Sequence, residues 1–267
     1  MREIRTGGVR RNGGRTAGAD RLEAGDLVVV PWAPPQDDRG DGAVPAPGRG
    51  PLVTLYRDAD IWCVDKPAGL LSQPDRAGGD SVVTRAWAEL AWERRDFRPA
   101  TIHRLDRNVS GVVVIALNAR TLRTLSALLR ESAIRKIYRA IVAGTPPAAG
   151  EIAVPLRKDE ARNLVVADEA GREALTRFHT LRGSGGYSLV ELELVTGRPH
   201  QARAHMAGLG CPIVGDRKYG GPPAPNQRIL LHAYRIAFPD CPELPVVLRN
   251  FDISAKTPRD FMQFLAD

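Results

Sequence analysis

Between Thr101 and Ile115 the chain reads TIHRLDRNVSGVVVI, which sets His103, Arg104, Asp106 and Arg107 within five positions and then runs into an apolar stretch. Flanking guanidinium groups favour the charged form of a carboxyl group. An ionised, positioned carboxylate can act as a nucleophile or as a general base. It can also be a plain turn residue, because Asp, Asn and Ser gather before strands. The two arginines argue against the plain reading, since they can hold phosphates on either side of a target group and leave the carboxylate facing it. A second constellation, TGRPHQARAHMAGLGCPIVGDRKYG, spans residues 196–220. If 199–207 is helical, His200 and Arg203 lie on one face and Gln201 is turned aside. The pair His200 and His205 does not suit zinc, because a helical pair stands four apart with a glutamate beside it, and here neither holds. No metal is expected. Taken alone, this segment also fits an amphipathic helix with a solvated polar face. A third stretch, RKIYRA, carries Tyr138; a strand tyrosine is ordinarily a core or rim residue.

These residues need elements to position them. IWCVDK and GVVVIALN have the composition of buried strands, at 61–65 and after Ser110, the first stopped by Lys66-Pro67 and turned by Gly69. TLRTLSALLRES puts Leu122, Leu125, Leu128 and Leu129 on one helical face. KIYRAIVAG has strand composition, and YSLVELELV, residues 187–195, alternates like a half-buried strand. PHQARAHMAGLG predicts a helix with Pro199 in its first turn and a glycine stop. VVLRNFDIS predicts a strand, and TPRDFMQFLAD a short helix capped by Thr257 with Phe261, Phe264 and Leu265 inward. There is no strand-helix-strand beat and no repeat, so the expected class is α+β around a mixed, mostly antiparallel sheet. Residues 31–51, dense in Pro and Gly, lack a hydrophobic period and mark a linker. The expected organisation is a basic β segment at 1–31, a linker at 32–51 and a main domain at 52–267.

The charge is +7 over 267 residues and comes almost entirely from arginine, whose planar fork suits phosphate and base edges. Nucleic acid is the leading partner, although a GC-rich genome also raises Arg and Ala. Residues 1–16 carry five arginines against Glu3, a basic unit that can contact an RNA backbone or form a loosely docked arm. Cys63, Cys211 and Cys241 are dispersed and odd in number, as in a reducing compartment rather than a disulfide framework. The basic N-terminus precedes no apolar run, and no stretch reaches the length of a membrane span. The expectation is a cytoplasmic protein without membrane association.

HRLDRNVSG, RKIYRAIVAG and TGRPHQARAHMAGLGCPIVGDRKYG, preceded by VDKPAGLLSQP and followed by LLHAYRIAFP, resemble the RluA-type family of RNA pseudouridine synthases. The likeness is collinear from about Val53 to the C-terminus. It implies a pseudouridine synthase fold, with helices flanking the sheet and a central active-site cleft. It also implies a reaction without cofactor, in which uracil is detached from the sugar, turned and rejoined through carbon-5. By that resemblance Asp106 is the essential aspartate, either attacking the glycosidic carbon or taking the neighbouring sugar proton. Arg203 is its basic partner, and Tyr138 is the pocket tyrosine that stacks on uracil and can help remove the carbon-5 proton. Arg104 is expected to enter the space vacated by a base flipped out of its stem. Arg107, Arg198, His103, His200 and Gln201 are candidates for holding RNA, loop or Asp106. The chain departs from the family pattern at Asn108, Val109 and Ala202, which bears on RNA target and rate more than on the reaction. The segment IRTGGVRRNGGRTAGADRLEAGDLVVVP resembles the C-terminal half of the RNA-binding module named after ribosomal protein S-four. The expected activity is isomerisation of uridine in large-subunit ribosomal RNA by a monomer. The same reaction on transfer RNA, or a non-catalytic RNA-binding or ribosome-assembly role, is the alternative.

Overall fold

Asn12 and Gly13 adopt positive φ angles of 49° and 84°, the conformation that a two-residue hairpin turn demands and that Asn-Gly supplies most cheaply. The computed structural model describes residues 10–15, 23, 25–29, 50–75, 78–91, 97–224 and 227–265. Most of the Pro/Gly-rich 31–51 segment lies outside these residues. The contacts divide the chain into two units, Met1–Val44 and Pro45–Asp267. In the first, the turn joins β1 (Arg10–Arg11) to β2 (Gly14–Arg15), and β3 (Val28–Val29) pairs with the other edge of β1. Asn12 fixes this small sheet: its amide nitrogen donates to Asp26 at 2.8 Å and its oxygen accepts from the Leu27 amide at 2.8 Å.

The second unit is built on one large sheet. Its strands are β4 (Val53–Arg57), β5 (Ile61–Lys66), β6 (Ala100–Thr101), β7 (Ser110–Ala116), β8 (Arg135–Ala143), β9 (Ala149–Ile152), β12 (Thr176–Ser184), β13 (Tyr187–Leu194), β14 (Leu231–Ala237) and β15 (Asp252–Ser254). The order across the sheet is β4-β5-β7-β14-β8-β13-β12-β9, with β6 and β15 paired to β7 and β14. Between β9 and β12 a separate hairpin is formed by β10 (Leu156–Asp159) and β11 (Leu164–Ala167). The pairings are antiparallel except that of β7 with β14, where His232 faces Ser110 and Ala233 faces Gly111. That contact requires a glycine: Gly111 has φ of 116°, and a Cβ there would fall 2.2 Å from the Ala233 carbonyl oxygen. The chain is therefore pinned at the start of β7, five residues beyond Asp106.

β7 is buried along its whole length. Each fully buried Val or Ile contributes about 1.5–3 kcal/mol, and alternate side chains of β7 serve opposite faces of the sheet. On one face, Val113 and Ile115 join Tyr138, Val190, Leu192 and Met206 in the core beneath the cleft. On the other, Val112 and Val114 pack on Leu125 and Leu128 of α2 (Ala119–Arg130). α1 (Val82–Glu89) starts at a reciprocal cap between Ser81 and Thr84, and α3 is Gln201–Gly208.

The α+β class, the antiparallel sheet and the strands at 61–66, 110–116, 135–143 and 187–194 match the sequence expectation. Three local readings do not. Val246–Leu248 is a 3₁₀ turn and only Asp252–Ser254 is a strand, because Pro245 starts a turn in which Leu248 donates to its carbonyl and Asn250 takes a φ of 51°. The C-terminal segment is 3₁₀ over Arg259–Phe264 without a side-chain cap; Thr257 instead accepts from Arg139 Nη1 at 2.8 Å. Pro199 lies before α3, whose N-cap is His200 in the left-handed region.

Candidate active site

The loop that carries Asp106 is tied down on both sides. Leu105 is buried; its amide donates to Ser72 Oγ at 2.9 Å, and the same hydroxyl donates back to its carbonyl at 3.0 Å. Val109, also buried, closes a turn by donating to the Asp106 carbonyl at 3.0 Å. Lys66 Nζ, wholly buried, donates to the carbonyls of Leu70 at 2.7 Å, Pro67 at 3.0 Å and Arg107 at 3.1 Å. Burial lowers its pKa to about 7, against the opposing pull of Asp106 and Asp65. Between these anchors Asp106 keeps its side chain 32% exposed.

Arg203 reaches it from α3. Nη1 donates to Asp106 Oδ2 at 2.8 Å, while Nε and Nη2 donate to Asp216 Oδ2 and Oδ1 at 2.7 and 2.8 Å. Burial works against the guanidinium charge, but Asp216 and then Asp106 outweigh it and hold Arg203 charged. Asp216 is itself buried in a tight loop whose backbone folds around it: the amides of Tyr219 and Gly221 donate to its carbonyl. Gly221 permits this closure, because a Cβ there would lie 2.0 Å from the Ile213 carbonyl oxygen.

The Tyr219 ring lies under Arg203, 4.9 Å from its guanidinium carbon. Its hydroxyl accepts from the Val165 amide of β11 at 2.9 Å and bonds His200 Nδ1 at 2.9 Å. The direction of the Tyr219–His200 bond is set by the imidazole tautomer: with the ring proton on Nε2, the phenol donates to Nδ1. That Nε2 stands 3.6 Å from Asp106 Oδ2. Burial lowers the His200 pKa, with Asp106 opposing.

A cavity of about 440 Å³ opens beside this cluster. Asp106, Arg203, Tyr138 and Arg104 line it, as do Arg198, His200 and Gln201. Burial first, and the Asp106 charge second, push the Tyr138 phenol upward, so it is neutral at ordinary pH. Arg104 is exposed at the rim. Gln201 is buried and fully engaged: its oxygen accepts from Thr196 Oγ1 and the Arg198 amide, and its nitrogen donates to the Leu175 carbonyl and Thr176 Oγ1. Val109 and Ala202, two of the departures from the family pattern, supply apolar wall.

His103, Arg107 and His205, all singled out in the sequence, lie off this cavity. His103 Nε2 accepts from the Val114 amide at 3.3 Å, and burial, then Lys136, push its pKa down to about 4. Arg107 is exposed, donates to the Gly69 carbonyl at 3.1 Å and borders a separate depression of about 330 Å³. His205 spends both ring nitrogens on Thr176 Oγ1 and the Val154 carbonyl. Asp216, Tyr219 and Lys66 were not singled out in the sequence, nor were Lys158 and Asn163, which the β10-β11 hairpin brings to the cavity. The closely spaced glycines of GDRKYGG were the one signal pointing to Asp216, since such spacing marks a loop built around something.

The mostly antiparallel sheet thus carries an arginine-held carboxylate at the edge of a cavity of about 440 Å³, the arrangement of a candidate enzyme site. The sequence matches the RNA pseudouridylate synthase family model over residues 60–208, more than half of the chain. It is 31% identical over 233 residues to the ribosomal large subunit pseudouridine synthase D of Borreliella burgdorferi, covering 83% of this chain and 70% of that protein. It is 41% identical over 191 residues to the dual-specificity RNA pseudouridine synthase RluA of Escherichia coli K12, covering 68% of this chain and 84% of that protein. In fold it is similar to the structure of human RNA pseudouridylate synthase domain containing 4, with a TM-score of 0.64 at 24% identity over 80% of this chain and 92% of that one. The chain belongs to the RNA pseudouridylate synthase family, in its RluA-type branch, and is an isomerase.

Proposed function

We propose that the chain converts uridine to pseudouridine in structured large-subunit ribosomal RNA, with Asp106, Arg203 and Tyr138 as its catalytic residues. The observation that carries this reading is the carboxylate relay at the cavity. Asp216 fixes two nitrogens of Arg203, which offers its third nitrogen to Asp106 beside a neutral tyrosine. The reaction is a rearrangement: the bond from the sugar to base nitrogen breaks, a bond from the sugar to carbon-5 forms, the proton on carbon-5 is removed, and the freed base nitrogen ends carrying a proton, so no atom is gained or lost. Asp106 faces the sugar, and Arg203 holds the carboxylate oriented and charged until the reaction begins. Tyr138, neutral in the resting site, offers a flat platform for uracil. Exposed Arg104 fills the stack that the flipped nucleotide leaves, while Arg198, His200, Arg107, His103 and Gln201 hold RNA or the surrounding loops.

Ribosomal RNA is favoured because the relative from Borreliella burgdorferi is named for it and because the N-terminal hairpin is arginine-rich. Among the described residues no helix is long and apolar enough to cross a membrane; the proposed location is the cytoplasm, and the proposed state a monomer.

The test is a pseudouridine map of total RNA from a strain lacking the gene, from one restored with the intact protein and from one restored with Asp106→Asn. Sites in large-subunit ribosomal RNA are expected to vanish and to return only with the intact protein. Sites confined to transfer RNA would replace the substrate, and recovery with Asp106→Asn would remove the catalytic assignment.

A further inference from the structure

Five of the 38 basic side chains are lysines, and two of those five, Lys66 and Lys136, are buried. Lys66 has its reason in three carbonyl partners. Lys136 does not. It stands on β8 two residues before Tyr138, on the same face, and is 8% exposed. Its hydrogen bond runs from Nζ to the Thr196 carbonyl at 3.5 Å, the outer limit of such a contact. Among the described residues no carboxylate pairs with it; the charge acting on it is of its own sign, from Arg198. A buried ammonium without a counter-charge is costly, so proteins rarely keep one without a use.

Its position supplies the use. Gly197 lines the cavity, and a Cβ on Gly197 would lie 3.5 Å from Lys136 Nζ. Lys136 does not itself line the cavity; its ammonium lies directly behind Gly197, which does and which puts no side chain against it. Arg198, the next residue, is held at the same edge: its amide donates to Gln201 Oε1 at 3.0 Å and its Nε to the Glu173 carbonyl at 2.8 Å. We propose that Lys136 and Arg198, approached across Gly197, form a subsite for one backbone phosphate of the RNA strand whose uridine occupies the cavity. The inference rests on the reading of this cleft as an RNA site. The phosphate provides the counter-charge that the fold withholds, so the cost of burying the ammonium in the free protein is recovered when RNA binds.

The experiment uses the full chain and an unmodified transcript of large-subunit ribosomal RNA, with affinity measured over a range of KCl concentrations. Lys136→Met is expected to weaken binding several-fold and to reduce the slope of log affinity against log salt by about one. Its thermal midpoint should be no lower than that of the wild type, because an uncompensated buried charge has been removed. Gly197→Ala is the second variant. It places a methyl group at ordinary contact distance from Nζ without a positive φ to strain, and should weaken binding in the same way with an unchanged midpoint. An unchanged salt slope in Lys136→Met overturns the subsite, and so does a lowered midpoint of Lys136→Met combined with unaltered binding by Gly197→Ala. Tritium release from transcript labelled at uridine carbon-5, measured for the wild type alongside, separates the two levels. Normal release with an unchanged slope sinks the subsite alone, whereas binding without release sinks the enzymatic reading and leaves the phosphate contact standing.

Discussion

Asp216 takes two of the three guanidinium nitrogens of Arg203 and leaves the third for Asp106. A guanidinium gripped bidentately cannot rotate about its last bonds, so the direction of its remaining N–H is set before substrate arrives. Asp216→Asn is therefore expected to lower kcat by at least tenfold, the equivalent of about 1.4 kcal/mol in the barrier, with little change in KM. It should also cost about 3 kcal/mol of stability, the usual result of removing one partner of a buried pair. Steady-state kinetics with a urea melt checks both; an unchanged kcat would show that Arg203 orients Asp106 unaided. Two histidines, the half-buried His103 and the buried His232, carry a separate expectation. Burial lowers His103 and His232 from 6.5 to about 4. Between those pH values the unfolded chain binds protons that the folded chain refuses, so stability falls as the pH drops from about 6.5 to 4 and is constant from this source above 6.5. For His232 the loss reaches about 3 kcal/mol. Thermal midpoints measured across that range should decline in the wild type and decline less in His232→Asn.

At the scale of elements, the β10-β11 hairpin bears on the active site through one hydroxyl. Tyr219 accepts from the Val165 amide and is hydrogen-bonded to His200, which faces Asp106. Lys218 adds a second tie to the carbonyl of Asn163. The hairpin also lends Lys158 and Asn163 to the cavity, and hydrogen bonds tie it through Tyr219 to His200, whose Nε2 stands 3.6 Å from the Asp106 carboxylate. Tyr219→Phe keeps the ring under Arg203 and removes the link. The expected cost is about 1 kcal/mol of stability, faster hydrogen exchange at the Val165 amide and a several-fold lower kcat. If exchange at Val165 is unaltered, the hairpin is held by its own pairing and not by Tyr219. The sequence supported the elements that flank this device better than the device itself. β13 announced itself by its alternation and α3 by its proline and glycine boundaries, whereas LRKD and LVVA are four residues each, too short for any period to register.

At the scale of the whole molecule, the charge of +7 predicts strong salt dependence of RNA binding. Removing residues 1–50, which hold five arginines before position 16, is expected to weaken RNA affinity and flatten that dependence; an unchanged slope would make this segment a bystander. The class of fold was legible because alternation in YSLVELEL and the unbroken apolar run of β7 are direct records of which faces are buried. The reading failed at VVLRNFDIS, where β-branched composition suggested a strand and Pro245 with Asn250 dictated a turn.

The sequence alone determined the chemistry to look for: a carboxylate between arginines, a tyrosine on a strand and an arginine on a helix, in the order of a known family. Those are properties of residue type and spacing, and they survive without coordinates. Only the tertiary structure decided which of these groups meet. Asp106 and Arg203 stand 97 positions apart, and no local rule connects them. It also decided that Asp216 rather than solvent completes Arg203, that Gln201 and His205 are consumed by backbone and hydroxyl partners, and that His103 turns to β7 instead of the cavity. The physical reason is common to all: hydrogen-bond capacity is visible in a residue's name, but whether it is spent inside the fold or kept for a substrate depends on which strands and loops close around it.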